Sequence, residues 1–148
     1  MIRLFGRTLS GKVLVAGVGR VDRLDDGAGP MLARRLASVP GIKTLDCGDR
    51  LEDFTGDIAR LKPDIVLVAD AVDLRAAPGS IALLEAVKLP MDLDSHRATL
   101  RTAMEYLRLR AHAEVLLLAI QPAHVADGVG LSAEVGATVD LLVDLFTD

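Results

Sequence analysis

The chain has 148 residues, 51% of them apolar, with a formal net charge of −4 and a pI near 5.3. That length suits one globular domain with a real core, and the acidic balance excludes the basic face that nucleic-acid binding demands. A single cysteine excludes an internal disulfide framework and fits a reducing compartment; no apolar run nears the ~20 residues that span a bilayer.

Aromatic residues make up only 3% and tryptophan is absent, so Leu, Val, Ile and Ala must build the core. Met1 to Gly11 lacks the apolar stretch of a signal peptide and reads as a short N-terminal extension, ahead of a single domain over residues 12–148. The cytoplasm is the expected location. Val13 to Val18 reads as a buried strand closed by glycine. A helix through Met31 to Ala37 follows, with Asp26 placed to cap it and Pro30 near its first turn. Ile42 to Leu45 is a second strand. Leu51, Phe54, Ile58 and Leu61 recur at helical spacing, and Pro63 stops that helix. Ile65 to Ala69 is the clearest buried strand, with Asp70 at its end. Pro78-Gly79 marks a turn before a fourth strand, Ile81 to Leu84, at an antiparallel edge. Leu89 to Ser95 is a loop. Leu100, Ala103, Met104 and Leu107 stripe another helix, Val115 to Ile120 is a fifth strand, and Val135 to Phe146 stripe a closing helix capped near Ser132.

Strands alternating with helices imply crossovers and a mostly parallel sheet covered on both faces. Ligands of such sheets bind beyond the carboxyl ends of the strands. Asp25 and Asp26 follow the first strand, Asp46, Cys47 and Asp49 the second, and Asp70 and Asp73 the third. His96 lies in the loop before the helix of Leu100 to Leu107, and Gln121 and His124 follow the fifth strand. Two or three carboxylates with one imidazole make a divalent-metal site with open positions. Plainer roles exist for each residue. Either acid of the first pair can cap a helix, and Asp70 can form a turn. His96 can be a loop residue, His112 and His124 can be surface groups, and Cys47 a small buried side chain.

Other chemistries find no support. A dinucleotide loop needs a third glycine where Asp22 stands, and the acid pair would repel a pyrophosphate. The lysine-containing phosphate loop, paired zinc-ligand spacings and the G-x-S-x-G elbow are all absent. Acidic surroundings disfavour a reactive thiolate at Cys47.

Gly17-Val18-Gly19, Asp25-Asp26-Gly27-Ala28-Gly29-Pro30, Val68-Ala69-Asp70-Ala71, Pro78-Gly79, His96 and Ile120-Gln121-Pro122, in that order, resemble the hydrogenase maturation endopeptidases. These proteases trim the C-terminal tail from nickel–iron hydrogenase large subunits. The resemblance runs from Lys12 to Phe146. It implies a three-layer α/β/α sandwich around a five-stranded, mostly parallel sheet. It also implies a metal-contacting and catalytic triad of Asp26, Asp70 and His96, with Asp25 in support. Gly27 and Gly29 would bring backbone close to metal or peptide. The metal would be nickel already inserted in the precursor, although another divalent cation could occupy the site. The implied partner is the large-subunit precursor, met by a monomer without membrane insertion. Gln121-Pro122 and the Asp-Asp pair look most like the subset serving formate-hydrogenlyase or energy-converting hydrogenases. A non-catalytic metal-binding or scaffold paralogue and a flavodoxin-like small-molecule module remain alternatives. Arg20 departs from the family's usual asparagine, and Cys47-Gly48 from its paired glycines.

Overall fold

A computed structural model describes residues 2–89 and 95–147, and the side chains of 2–89 and 99–147. Its centre is a five-stranded sheet in the order β4-β3-β5-β7-β6. The strands are β3 (Val13–Gly17), β4 (Ile42–Asp46), β5 (Ile65–Ala71), β6 (Ile81–Glu85) and β7 (Glu114–Ile120). β3 pairs in parallel with β4 and β5, and β5 with β7; β6 alone runs antiparallel, on the edge beside β7. The mostly parallel α/β sheet with one antiparallel edge strand is therefore as expected. β3, β5 and β7 read as unbroken apolar runs because helices cover both of their faces.

The side chains of these strands alternate between two cores. Leu14, Ala16, Val66, Val68 and Leu117 pack under α2 (Thr55–Arg60) and α3 (Ser95–Ala111), with Ile58, Met104 and Leu107. Val15, Leu67, Ala69, Leu116 and Leu118 pack under α1 (Ala28–Leu36) and α4 (Ala133–Thr147), with Leu32, Leu36, Val139 and Leu142. The closing helix begins as its sequence indicates: the Val135 N–H donates to Ser132 Oγ at 3.3 Å, a side-chain cap.

Two readings need correction. Residues 2–9, expected to be an extension outside the domain, fold as a hairpin of β1 (Ile2–Leu4) and β2 (Arg7–Leu9). Its two-residue turn holds both Phe5 and Gly6 at positive φ, 51° and 80°, which matches the twist of the strands it joins. Leu4 and Leu9 are fully buried in the α1–α4 core, and Arg7 pairs with Glu114 at the start of β7. The second correction concerns α3. It opens at Ser95, so His96 stands in its first helical turn rather than in a preceding loop. Of the loop expected over Leu89 to Ser95, residues 90–94 lie outside the described residues.

Candidate active site at the carboxyl edge of the sheet

From β3 the chain moves outward to β4 and then returns to β5 on the other side. The strand order thus reverses between β3 and β5, the point where open α/β sheets form a crevice. Gly17, the last residue of β3, lies opposite both Asp46 and Ala69. Asp26 stands in the 3-10 turn Leu24–Gly27 just beyond β3, and Asp70 is the penultimate residue of β5. Alternation along β5 directs Asp70, like Val66 and Val68, toward the α3 face. The helix brings its own start to the same edge. Its 17 residues rise about 25 Å, close to the length of about 23 Å of the seven-residue β7 that follows it. With its last turn at the amino edge of the sheet, its first turn, which holds His96, reaches the carboxyl edge. The backbone therefore gathers the three sequence-predicted residues at one edge. The His96 side chain lies outside the described residues, and among the described residues no three His, Cys, Asp or Glu side chains converge on one metal position.

The two acids of the pair diverge completely. Asp25 is fully buried. Its Oδ2 accepts the N–H groups of Ala123 at 2.8 Å and His124 at 3.1 Å, and its Oδ1 accepts that of Ser132 at 2.7 Å. Burial works to raise the pKa of this carboxyl, but the donations from Ser132, His124 and Ala123 outweigh it and hold the pKa below the usual range. Asp26 is only half-buried and points elsewhere: its Oδ2 accepts the Arg20 N–H at 2.9 Å. Neither acid caps α1, whose first turn has no side-chain cap. An acceptor-only carboxylate with one such bond keeps lone pairs for a cation, so the donor chemistry of Asp26 suits a divalent metal.

The glycines differ from expectation. A Cβ on Gly29 would sit 2.1 Å from the Ala69 carbonyl oxygen and 2.5 Å from that of Val18, and one on Gly27 2.9 Å from Val21 Cα. The space they leave is filled by the protein's own main chain, which lets α1 start tight against β3 and β5. They do not open a path to metal or peptide.

Other polar groups at this edge are engaged in holding loops. Asp46 accepts Arg34 Nε and Nη2 at 3.1 and 2.9 Å. Gln121 Oε1 accepts the N–H groups of Leu74 (2.5 Å) and Ala76 (3.4 Å), while its Nε2 donates to Asp73 Oδ1 at 3.2 Å, so it shapes the loop after β5. Arg20 forms a two-pronged pair with exposed Asp22, Nε to Oδ1 at 3.1 Å and Nη2 to Oδ2 at 2.9 Å. Cys47 is buried in the α2–α3 core, and burial, with lesser help from Asp46 and Asp57, pushes its thiol up to about 12. His112 and His124 are exposed. The loop-holding roles of Asp25 and Gln121 went unread because their partners are main-chain groups about 100 and 47 positions away.

A doubly covered, mostly parallel sheet with acids at its switch point defines an α/β/α protein. The family model described as HycI, hydrogenase maturation protease, matches residues 29–148, and the chain belongs to this family. It is 31% identical over 102 residues to the hydrogenase 3 maturation protease of Escherichia coli strain K12; the match covers 66% of this chain and spans 65% of that relative's length. The crystal structure of a [NiFe] hydrogenase maturation protease HycI from Thermococcus kodakarensis matches in fold, with a TM-score of 0.82 and 23% identity over 93% of this chain and 94% of that one. The solution structure of an endopeptidase HycI from Escherichia coli gives a TM-score of 0.80 at 25% identity, over 90% and 87% of the two chains.

Proposed function

We propose that this chain is an endopeptidase that removes the C-terminal tail of the nickel-loaded large-subunit precursor of a nickel–iron hydrogenase. What supports the reading is membership of the maturation-protease family, together with Asp26 just beyond β3 and Asp70 near the end of β5, the two strands between which the order reverses. Asp26, Asp70 and His96 are the groups that would meet the metal, which belongs to the substrate and arrives with it. Two carboxylates and one imidazole leave positions for ligands that the precursor already supplies. The metal's contribution is to mark the loaded precursor and to draw charge from oxygen atoms near it. The chain's own residues orient that metal and hence the adjoining peptide. Hydrolysis consumes one water, breaks one peptide bond, and releases the tail with a new amino terminus. Asp25 acts behind the site by fixing the loop after β7. The enzyme works as a cytoplasmic monomer, and its catalytic domain takes in the N-terminal hairpin, whose Leu4 and Leu9 belong to the α1–α4 core. No helix among the described residues is long and apolar enough to cross a membrane.

Mixing the purified chain with nickel-loaded and nickel-free precursor, and weighing the products, tests this. A single tail loss from the loaded form alone is expected; equal cleavage of both forms overturns the metal-reading role. Asp26→Asn, Asp70→Asn and His96→Ala should each abolish processing while leaving the fold intact, and normal processing removes that residue from the site. Binding of the precursor with no change in its mass would instead establish a non-catalytic paralogue.

A further inference from the structure

The loop between β7 and α4 combines two properties that rarely coincide. It projects apolar groups into water: Val129 is 86% exposed and Val125 46%. It is also bolted down along its length. Besides the three donations to buried Asp25, the Asp25 N–H donates to the His124 carbonyl at 3.1 Å and the Leu24 N–H to that of Gly128 at 3.0 Å. The Gly128 N–H donates to the Asp22 carbonyl at 3.1 Å, and Arg23 Nη1 pairs with Asp127 at 2.9 Å. Every one of these ties ends on residues 22–25, the segment that continues directly into Asp26. The two valines are therefore held in fixed register with the candidate site.

From this we infer that Val125 and Val129 form a rigid apolar arm that grips the folded body of the protein substrate beside its scissile tail. The inference rests on the proteolytic reading above. A protein whose tail enters at the carboxyl edge must lay its adjoining surface against whatever borders that edge, and this loop does. The local charges say what that surface is like. Arg20 is paired with Asp22 and Arg23 with Asp127, so neither guanidinium is left over for an acidic partner, and what the loop itself offers beyond these pairs is apolar. An arm ordered in advance loses little conformational freedom on docking, which favours affinity over a mobile loop of the same composition.

The test compares wild type with a Val125→Asp/Val129→Asp double variant and a Val125→Thr/Val129→Thr double variant, using the nickel-loaded precursor. KM should rise about tenfold in the aspartate variant, equivalent to about 1.4 kcal/mol of binding. The threonine variant should show a smaller rise, and kcat and melting temperature should hold in both. Unchanged KM with intact cleavage overturns the arm and leaves the proteolytic reading standing. A wild-type chain that neither binds nor cleaves the precursor overturns both. A wild-type dimer in sedimentation that the aspartate variant splits would show that the valines serve a second copy of this chain instead.

Discussion

Replacing Asp25 by Asn isolates what a buried carboxylate does for the loop behind the site. The side chain keeps its shape, but one oxygen becomes an amide donor. If the remaining oxygen keeps Ala123 and His124, the amide turns its hydrogens toward the Ser132 N–H, and donor faces donor. One charge-assisted bond is then lost at about 2 kcal/mol, and two others weaken by about 0.5–1 kcal/mol each. No longer burying a charge offsets part of this, leaving a net loss of about 2–3 kcal/mol. In a chain of this size that lowers the melting temperature by about 4–12 °C. The pH dependence gives a second signature. The native pKa of Asp25 lies below its unfolded value, so its stabilisation is complete above pH ~4 and fades as pH falls through the lowered native value. The gap between wild type and the Asn variant, read by thermal unfolding, should therefore narrow below pH ~4. A variant melting within 1 °C of wild type at neutral pH, or a gap that stays constant in acid, would refute the reasoning.

Leu4→Ala should cost about 2–5 kcal/mol, because Leu4 is fully buried although it lies in a three-residue strand near the terminus. A urea unfolding midpoint equal to that of wild type would show the hairpin to be dispensable. Cys47 should resist a thiol reagent at pH 8 in the native protein and react at once in urea, since its thiol is buried and pushed up to about 12. Rapid labelling of the native protein would contradict that burial.

The central strands were legible because burial on both faces leaves an unbroken apolar run, which nothing else of that length between turn residues imitates. The hairpin was not. Its strands are only three residues each, too short to show a pattern, and its turn uses Phe5 where a glycine or asparagine would have signalled positive φ. The start of α3 was missed for a related reason: Ser95 to Thr99 lack the apolar stripe that begins only at Leu100. At the site, position in the chain located the acid pair and the family resemblance set Asp25 in support of Asp26, but the loop that Asp25 holds was not legible. A one-residue offset in a 3-10 turn sends Asp25 inward and leaves Asp26 half-exposed, and the partners that fix this are distant main-chain groups. Gly27 and Gly29 misled because close approach of backbone has the same sequence signal whether the neighbour is a ligand or the protein itself.

Asp26 is steadied by the main chain of residue 20, not by its side chain. An amide hydrogen is common to every residue but proline, so position 20 can change identity without unseating the acid. The bond to Asp26 is thus the same whichever non-proline side chain stands at position 20. The Arg20 guanidinium itself is folded onto exposed Asp22.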